Sequence, residues 1–354
     1  MYANTPRGRE LLVILALSAL VLGACGSEGS SAVESGVTTE APTTITEASA
    51  TTAAPTTTVP TTTEAPTTTA APTTTTTEAA PAFPVDVADS QGIVTISARP
   101  ERIVSLSASS TEILFAIGAG PQVVAVDTFS NYPPQAPVSD LSAFNPNLEA
   151  LTAFDPDLVV AFYDPGDLMA SLDALEIPAL MMLSPGALDD VWHQIEQLGL
   201  ATGRSLEAAD LITSMQQSID EILAGAPDTS FTYYYELDQN LYSVTSTTFV
   251  GQVLGLLGFE NIADQADEQG YGYPQLSSEY IIAVDPDLIF LADTLCCGQN
   301  LETVAARPGW SALTAVTNGA VVELDDDIAS RWGPRIVDLL EVAAGAVTAL
   351  ADGR

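Results

Sequence analysis

The sequence predicts an α/β protein of two similar lobes, each a parallel sheet covered by helices on both faces, joined by a single long helix. Three observations carry this. A pair of motifs occurs twice in the same order, short apolar runs alternate with helical patterns, and one helical stretch without Gly or Pro separates the repeats.

The chain opens on an address. Arg7 and Arg9 precede an apolar run over residues 11–22, too short to span a membrane, and small residues follow, so residues 1–24 read as a signal peptide. Leu22-Gly23-Ala24-Cys25 closes the run and resembles the lipobox of bacterial lipoproteins, which implies lipid modification of Cys25. Two or more acyl chains anchor stably, so the expected location is the extracytoplasmic face of a cell membrane. Residues 25–82 form a linker, almost wholly Thr, Pro, Ala and Glu from residue 37 onward, with nothing bulky enough for a core. If Pro and Thr stiffen it, about 45 residues at ~3.1 Å each reach on the order of 140 Å. The composition suits O-glycosylation or a bare spacer equally.

The folded part starts at Phe83 and divides into an N-terminal lobe (83–204), a connecting helix (205–225) and a C-terminal lobe (226–354). Removing Arg7 and Arg9 from nine basic residues and seven glutamates from 46 acidic ones leaves 7 against 39, a net charge of −32. Such a surface repels nucleic acid and anionic headgroups. Asp325-Asp326-Asp327 reads as a cation site or a solvated turn. Cys296 and Cys297 are candidates for a vicinal disulfide, two free thiols or pairing between chains. They cannot close a zinc site with one distant histidine.

Apolar strands are expected at Ile103-Val104-Ser105-Leu106, Val123-Val124-Ala125-Val126, Leu158-Val159-Val160-Ala161, Ala179-Leu180-Met181-Met182 and Leu288-Ile289-Phe290-Leu291. The repeat pairs Glu149, six positions before Asp155-Pro156-Asp157-Leu158, with Glu279, six before Asp285-Pro286-Asp287-Leu288. Upstream, Ile113-Leu114-Phe115-Ala116-Ile117-Gly118 pairs with Val253-Leu254-Gly255-Leu256-Leu257-Gly258. Asn147 and Ser277 are suited to N-caps, each Glu falls in a first helical turn, and Asp-Pro stops the helix before a strand. Over residues 206–223, Leu211, Ile212, Met215, Ile219, Ile222 and Leu223 recur at helix spacing.

These motifs, with Pro100-Glu101-Arg102-Ile103-Val104-Ser105-Leu106, Thr111-Glu112-Ile113-Leu114, Asn131-Tyr132-Pro133-Pro134, Asn147-Leu148-Glu149, Pro274-Gln275-Leu276-Ser277 and Pro334-Arg335-Ile336, resemble the iron-siderophore and cobalamin binding proteins of ABC importers over residues 100–350. The resemblance implies two Rossmann-like lobes and a monomer that captures its ligand between them. Glu149 and Glu279 stand where that family docks into permease arginines. Phe129, Phe144, Tyr163 and Tyr273 stand where loops line the interlobe cleft, and aromatic faces suit a large flat ligand. Arg331 and Arg335 flank Trp332, and a guanidinium there suits the oxygens of a ferric chelate. Glu236 and Tyr242 are further candidates. A ferric siderophore is the expected ligand, with cobalamin and heme as alternatives; no cofactor other than lipid is expected.

Catalysis lacks its parts. The only histidine, His193, sits among Val191, Trp192, Ile195 and Leu198 and is expected to be partly buried and structural. No Gly-rich phosphate loop or nucleophile elbow occurs, and bare-metal carriers need a His cluster. The second functional class is a sensor or envelope interaction protein that keeps the binding fold without transport.

Overall fold

The computed structural model describes residues 82–228 and 230–353. The signal peptide, Cys25 and the linker through residue 81 lie outside the described residues. A hairpin comes first, β1 (Val85–Asp89) against β2 (Gly92–Ile96). The sequence reading missed it, although the alternation Val85, Val87 and the Ser90-Gln91-Gly92 turn were legible.

The first lobe then runs β3 (Ile103–Leu106), α1 (Ala108–Ala116), β4 (Val123–Val126), α2 (Leu148–Thr152), β5 (Leu158–Ala161), α3 (Leu168–Ala174), β6 (Ala179–Met181) and α4 (Leu188–Thr202). Helix α5 (Ser205–Gly225) leads into the second lobe: β7 (Thr232–Glu236), α6 (Phe249–Gly255), β8 (Glu260–Asn261), α7 (Ser278–Val284), β9 (Leu288–Leu291), α8 (Thr294–Cys297), α9 (Leu301–Ala305), α10 (Thr314–Thr317), β10 (Val321–Glu323), α11 (Asp326–Ser330) and α12 (Ile336–Ala351). Both sheets are four-stranded and parallel, ordered β4-β3-β5-β6 and β8-β7-β9-β10, so each strand of one has its counterpart in the other.

The repeated Asp-Pro-Asp-Leu has a physical reason in both lobes. Asp155 and Asp285 sit at φ 49° and 54°, the left-handed step that ends α2 and α7. Asp157 then clasps the start of β3: its carboxylate accepts the amides of Glu101 and Arg102 at 2.8 and 2.9 Å. Asp287 does the same at β7, accepting the Thr232 amide and hydroxyl at 2.9 and 2.8 Å. Gly118 and Gly258 both turn at φ 76° after the helices of the upstream motif.

In each lobe the strand side chains alternate between a shared core and one of the lobe's own. Ile103, Leu158, Val160, Tyr233, Tyr235, Leu288 and Phe290 enter one core that runs continuously through both lobes by way of α4, α5 and α12. Val104, Val159 and Ala161 face a second core confined to the first lobe, and Tyr234, Ile289 and Leu291 a third in the second lobe. Met215 and Ile219 of α5 are buried in the shared core. Among the described residues no helix is long and apolar enough to cross a membrane.

His193 departs from expectation. It is exposed on α4, because Val191, Ile195 and Leu198 define the inward stripe and position 193 falls on the opposite face.

Candidate functional site

The segments after β3, β4 and β5 end on the same side of the first sheet, the crevice where open α/β sheets take ligands. They supply Ser107 and Ser109, Asp127 and Phe129, and Phe162; α11 and the turn after it supply Asp327, Ser330, Arg331 and Trp332 from the other lobe. Together with Phe144 these residues enclose a cavity of about 270 Å³.

Its aromatic wall is continuous. Phe144 meets Phe129 edge-on at 5.7 Å between centroids and Phe162 at 5.5 Å, and Tyr163 leans on Phe144 at 6.3 Å. Phe162 in turn contacts Trp332 across the lobes at 6.2 Å. Phe129, Phe144 and Tyr163 are each about half exposed, so their faces are available to a ligand.

The polar side is already organised. Arg331 is buried and spans the lobes: Nη1 donates to Glu112 at 3.0 Å and Asn131 at 2.9 Å, Nη2 to the Phe129 carbonyl at 2.8 Å and Asp327 at 2.5 Å. Arg335 grips the same Glu112 through Nε at 3.1 Å and Nη2 at 2.6 Å, and lies over the Tyr132 ring at 4.3 Å. Gly333 lets this happen, since a Cβ there would sit 2.9 Å from Glu112 Oε2. Trp332 donates its indole N–H to Gln194 at 3.1 Å and its amide to Ser109 at 3.2 Å; Asn131 donates to Asp327 at 2.7 Å. Burial pushes the Asp127 carboxyl above its usual range, against the opposing pull of the Ser130 hydroxyl and Arg331.

Of the eight residues expected to bind ligand, Phe129, Phe144, Arg331 and Trp332 line this cavity, while Tyr163 packs beside Phe144 without lining it. Glu236, Tyr242 and Tyr273 do not line it. Glu236 is wholly buried at the end of β7, its two oxygens held by Arg307 at 2.6 Å each; its position on the strand turns it to the interior beside Tyr234. Tyr242 sits opposite Gln275 in an isolated bridge, and Tyr273 is exposed just before Pro274. Sequence reasoning missed Phe162, Asp127, Asp327, Ser107, Ser109 and Glu112. Phe162 adjoins Tyr163 and was legible; the others depended on knowing which strand ends converge.

The three consecutive aspartates are neither a cation site nor a solvated turn. Asp325 caps α11, Asp326 accepts the amides of Thr294, Leu295 and Cys296, and Asp327 holds Arg331. No group of three or more His, Cys, Asp or Glu among the described residues is placed to hold a metal ion. Cys296 and Cys297 are joined as a vicinal disulfide on the exposed turn of α8.

Glu149 and Glu279 are both exposed at the second residue of their helices, α2 and α7, behind N-caps Asn147 and Ser277 that accept the amides of Ala150 and Tyr280. They occupy equivalent places before the paired strands β5 and β9.

Residues 103–328 match the family model described as periplasmic binding protein. An uncharacterized ABC transporter substrate-binding lipoprotein of Bacillus subtilis is 32% identical over 279 residues, covering 75% of this chain and 86% of the relative. A cobalamin-binding protein of Halobacterium salinarum is 30% identical over 284 residues, 76% of this chain and 75% of the relative. Among solved structures, a possible iron-binding, periplasmic solute-binding protein of Staphylococcus epidermidis superposes with a TM-score of 0.62 at 26% identity, covering 71% of this chain and 99% of that one.

Proposed function

The chain belongs to the periplasmic binding protein family, as a substrate-binding protein of the ABC-importer class, and on that premise we propose that it captures a corrinoid in the interlobe cleft and delivers it to a permease. One observation carries the choice of ligand. Arg331, the arginine lining the cavity, has both terminal nitrogens engaged by protein acceptors, while Asp127 and Asp327 add negative charge. An anionic ferric catecholate or the propionates of heme would meet carboxylates there. A corrinoid offers an apolar macrocycle edge to the aromatic wall and uncharged amides to the serines and aspartates. The similarity to a cobalamin-binding relative supports the same reading.

A ferric siderophore is the second reading, supported by the similarity to the staphylococcal structure; the cleft's charge favours an uncharged hydroxamate chelate over a catecholate. In either case a ligand larger than the cavity requires the lobes to part, with loss of the Asn131–Asp327 and Trp332–Gln194 hydrogen bonds. Lipid on Cys25 and the Thr/Pro-rich linker would hold the binding domain clear of the membrane, and Glu149 and Glu279 would meet permease arginines. The role is binding, not catalysis.

The test is calorimetric titration with cyanocobalamin, a ferric hydroxamate, a ferric catecholate and hemin. Saturable binding of cyanocobalamin at micromolar concentration or tighter supports the corrinoid; binding confined to a ferric chelate or to hemin overturns it. Uptake by cells carrying Glu149→Gln with Glu279→Gln should fail while the titration is unchanged, and unaffected uptake would remove the delivery role in favour of a sensor.

A further inference from the structure

A second polar cluster lies at the carboxyl ends of β7 and β9, outside the cleft cavity. Asp293 follows β9, is fully buried, and neither of its carboxylate oxygens has a hydrogen-bond partner; the buried Tyr234 hydroxyl beside it lacks one too. The guanidinium of Arg307 is committed to Glu236 and, through Nη2, to Gln299 at 2.7 Å. One cation therefore faces two buried carboxylates, Glu236 and Asp293.

Asp293 is the N-cap residue of α8, where an aspartate ordinarily accepts the first free amides of its helix. Asp326 occupies that role instead, at 2.8, 3.0 and 2.7 Å from the amides of Thr294, Leu295 and Cys296. Burial first, and then the charge of Glu236, pushes the Asp293 carboxyl up to about 7, against the pull of Arg307. The groups facing it are Glu236, Tyr234 and Tyr235 on β7, Arg307 after α9, and Asp326 on α11. None is a histidine.

We propose that Asp293 is a proton-operated switch: protonated, it stays inside and leaves the amides of α8 to Asp326; ionised, it turns outward to cap α8 and releases α11. An unpaired buried carboxylate beside another is strongly unfavourable, and the amides of its own helix are the nearest relief. Asp326 opens α11, and the next residue, Asp327, holds both Arg331 and Asn131. Loss of the Asp326 contact thus reaches the bonds that keep the lobes together. The lobes are latched when Asp293 is protonated and loosened when it is not, whichever ligand the cleft takes.

Hydrogen–deuterium exchange on the ligand-free full chain tests this, with rates corrected for intrinsic chemistry between about pH 5.5 and about pH 8.5. Residues 326–332 should lose protection by about tenfold as pH rises in the wild type while 294–298, capped by one aspartate or the other, stay protected, and Asp293→Asn should keep the low-pH protection of 326–332 throughout. Equal behaviour of wild type and variant, or no pH response in the wild type, overturns the switch. Should that variant not fold, infrared difference spectra of the wild type with labelled aspartate give the answer alone. A protonated carboxyl band lost with the same midpoint as the exchange supports it, and absence of that band at low pH overturns it.

Discussion

Glu112 of the first lobe and Arg331 of the second form a buried ion pair at 3.0 Å, although 219 residues separate them in sequence. Arg335 completes the arrangement by binding the same carboxylate at 2.6 Å. Neither arginine is chiefly a free ligand clamp in this state; both first hold the lobes at a fixed distance around the cavity.

Glu112→Ala leaves two guanidiniums without their shared partner. Breaking a buried pair in this way typically destabilises by about 3–5 kcal/mol. Urea denaturation followed by circular dichroism should show a clearly lower midpoint, with Glu112→Gln falling between; an unchanged midpoint would mean the pair contributes nothing net.

Gly333→Ala should act through the same carboxylate. The new Cβ would lie 2.9 Å from Glu112 Oε2 and 3.2 Å from its Cβ, and a hydrogen-bonded buried side chain has nowhere to move. A loss of about 1–3 kcal/mol is expected. Gly255→Ala, in open space near the end of α6, is the control and should be neutral or slightly stabilising in the same thermal melts.

Asp157→Ala and Asp287→Ala remove equivalent clasps, each accepting two hydrogen bonds at the start of its lobe's first strand. Similar losses of about 1–3 kcal/mol are expected at the two positions. A large effect at one and none at the other would deny that the repeated motif does the same task twice.

Stability should fall as pH rises from about 4 to about 7. Asp293 keeps its proton in the folded chain up to about 7, whereas the unfolded chain releases it near the ordinary carboxylate value, so over that window folding requires proton uptake. Asp127 and Asp338, also raised by burial, act in the same direction. Unfolding free energies at pH 5 and pH 7.5 should therefore differ less in Asp293→Asn than in the wild type.

Trp332 forms part of the cavity wall, so ligand binding should quench its fluorescence. Trp332→Phe, which keeps Trp192 and Trp310, should lose most of that signal. A quench that survives the substitution would place the ligand away from this wall.

The sequence carried the two-lobed architecture by itself, though not the β1–β2 hairpin before it. Continuous apolar runs marked five of the strands, the spacing of Met215 and Ile219 marked the connecting helix, and the duplicated Asp-Pro-Asp-Leu marked matching strand entries, because each of these is a local rule of backbone and burial. It also indicated the aromatic wall through Phe129, Phe144 and Tyr163. What only the tertiary structure decided was the partner of each charge. Glu236 went to Arg307, Asp326 to the amides of α8, and Arg331 to Glu112, Asn131, Phe129 and Asp327. Those pairings join residues as far as 219 positions apart, and no spacing rule reaches that far: a side chain's charge says that it needs a partner, and the packing of the two lobes says which one it gets.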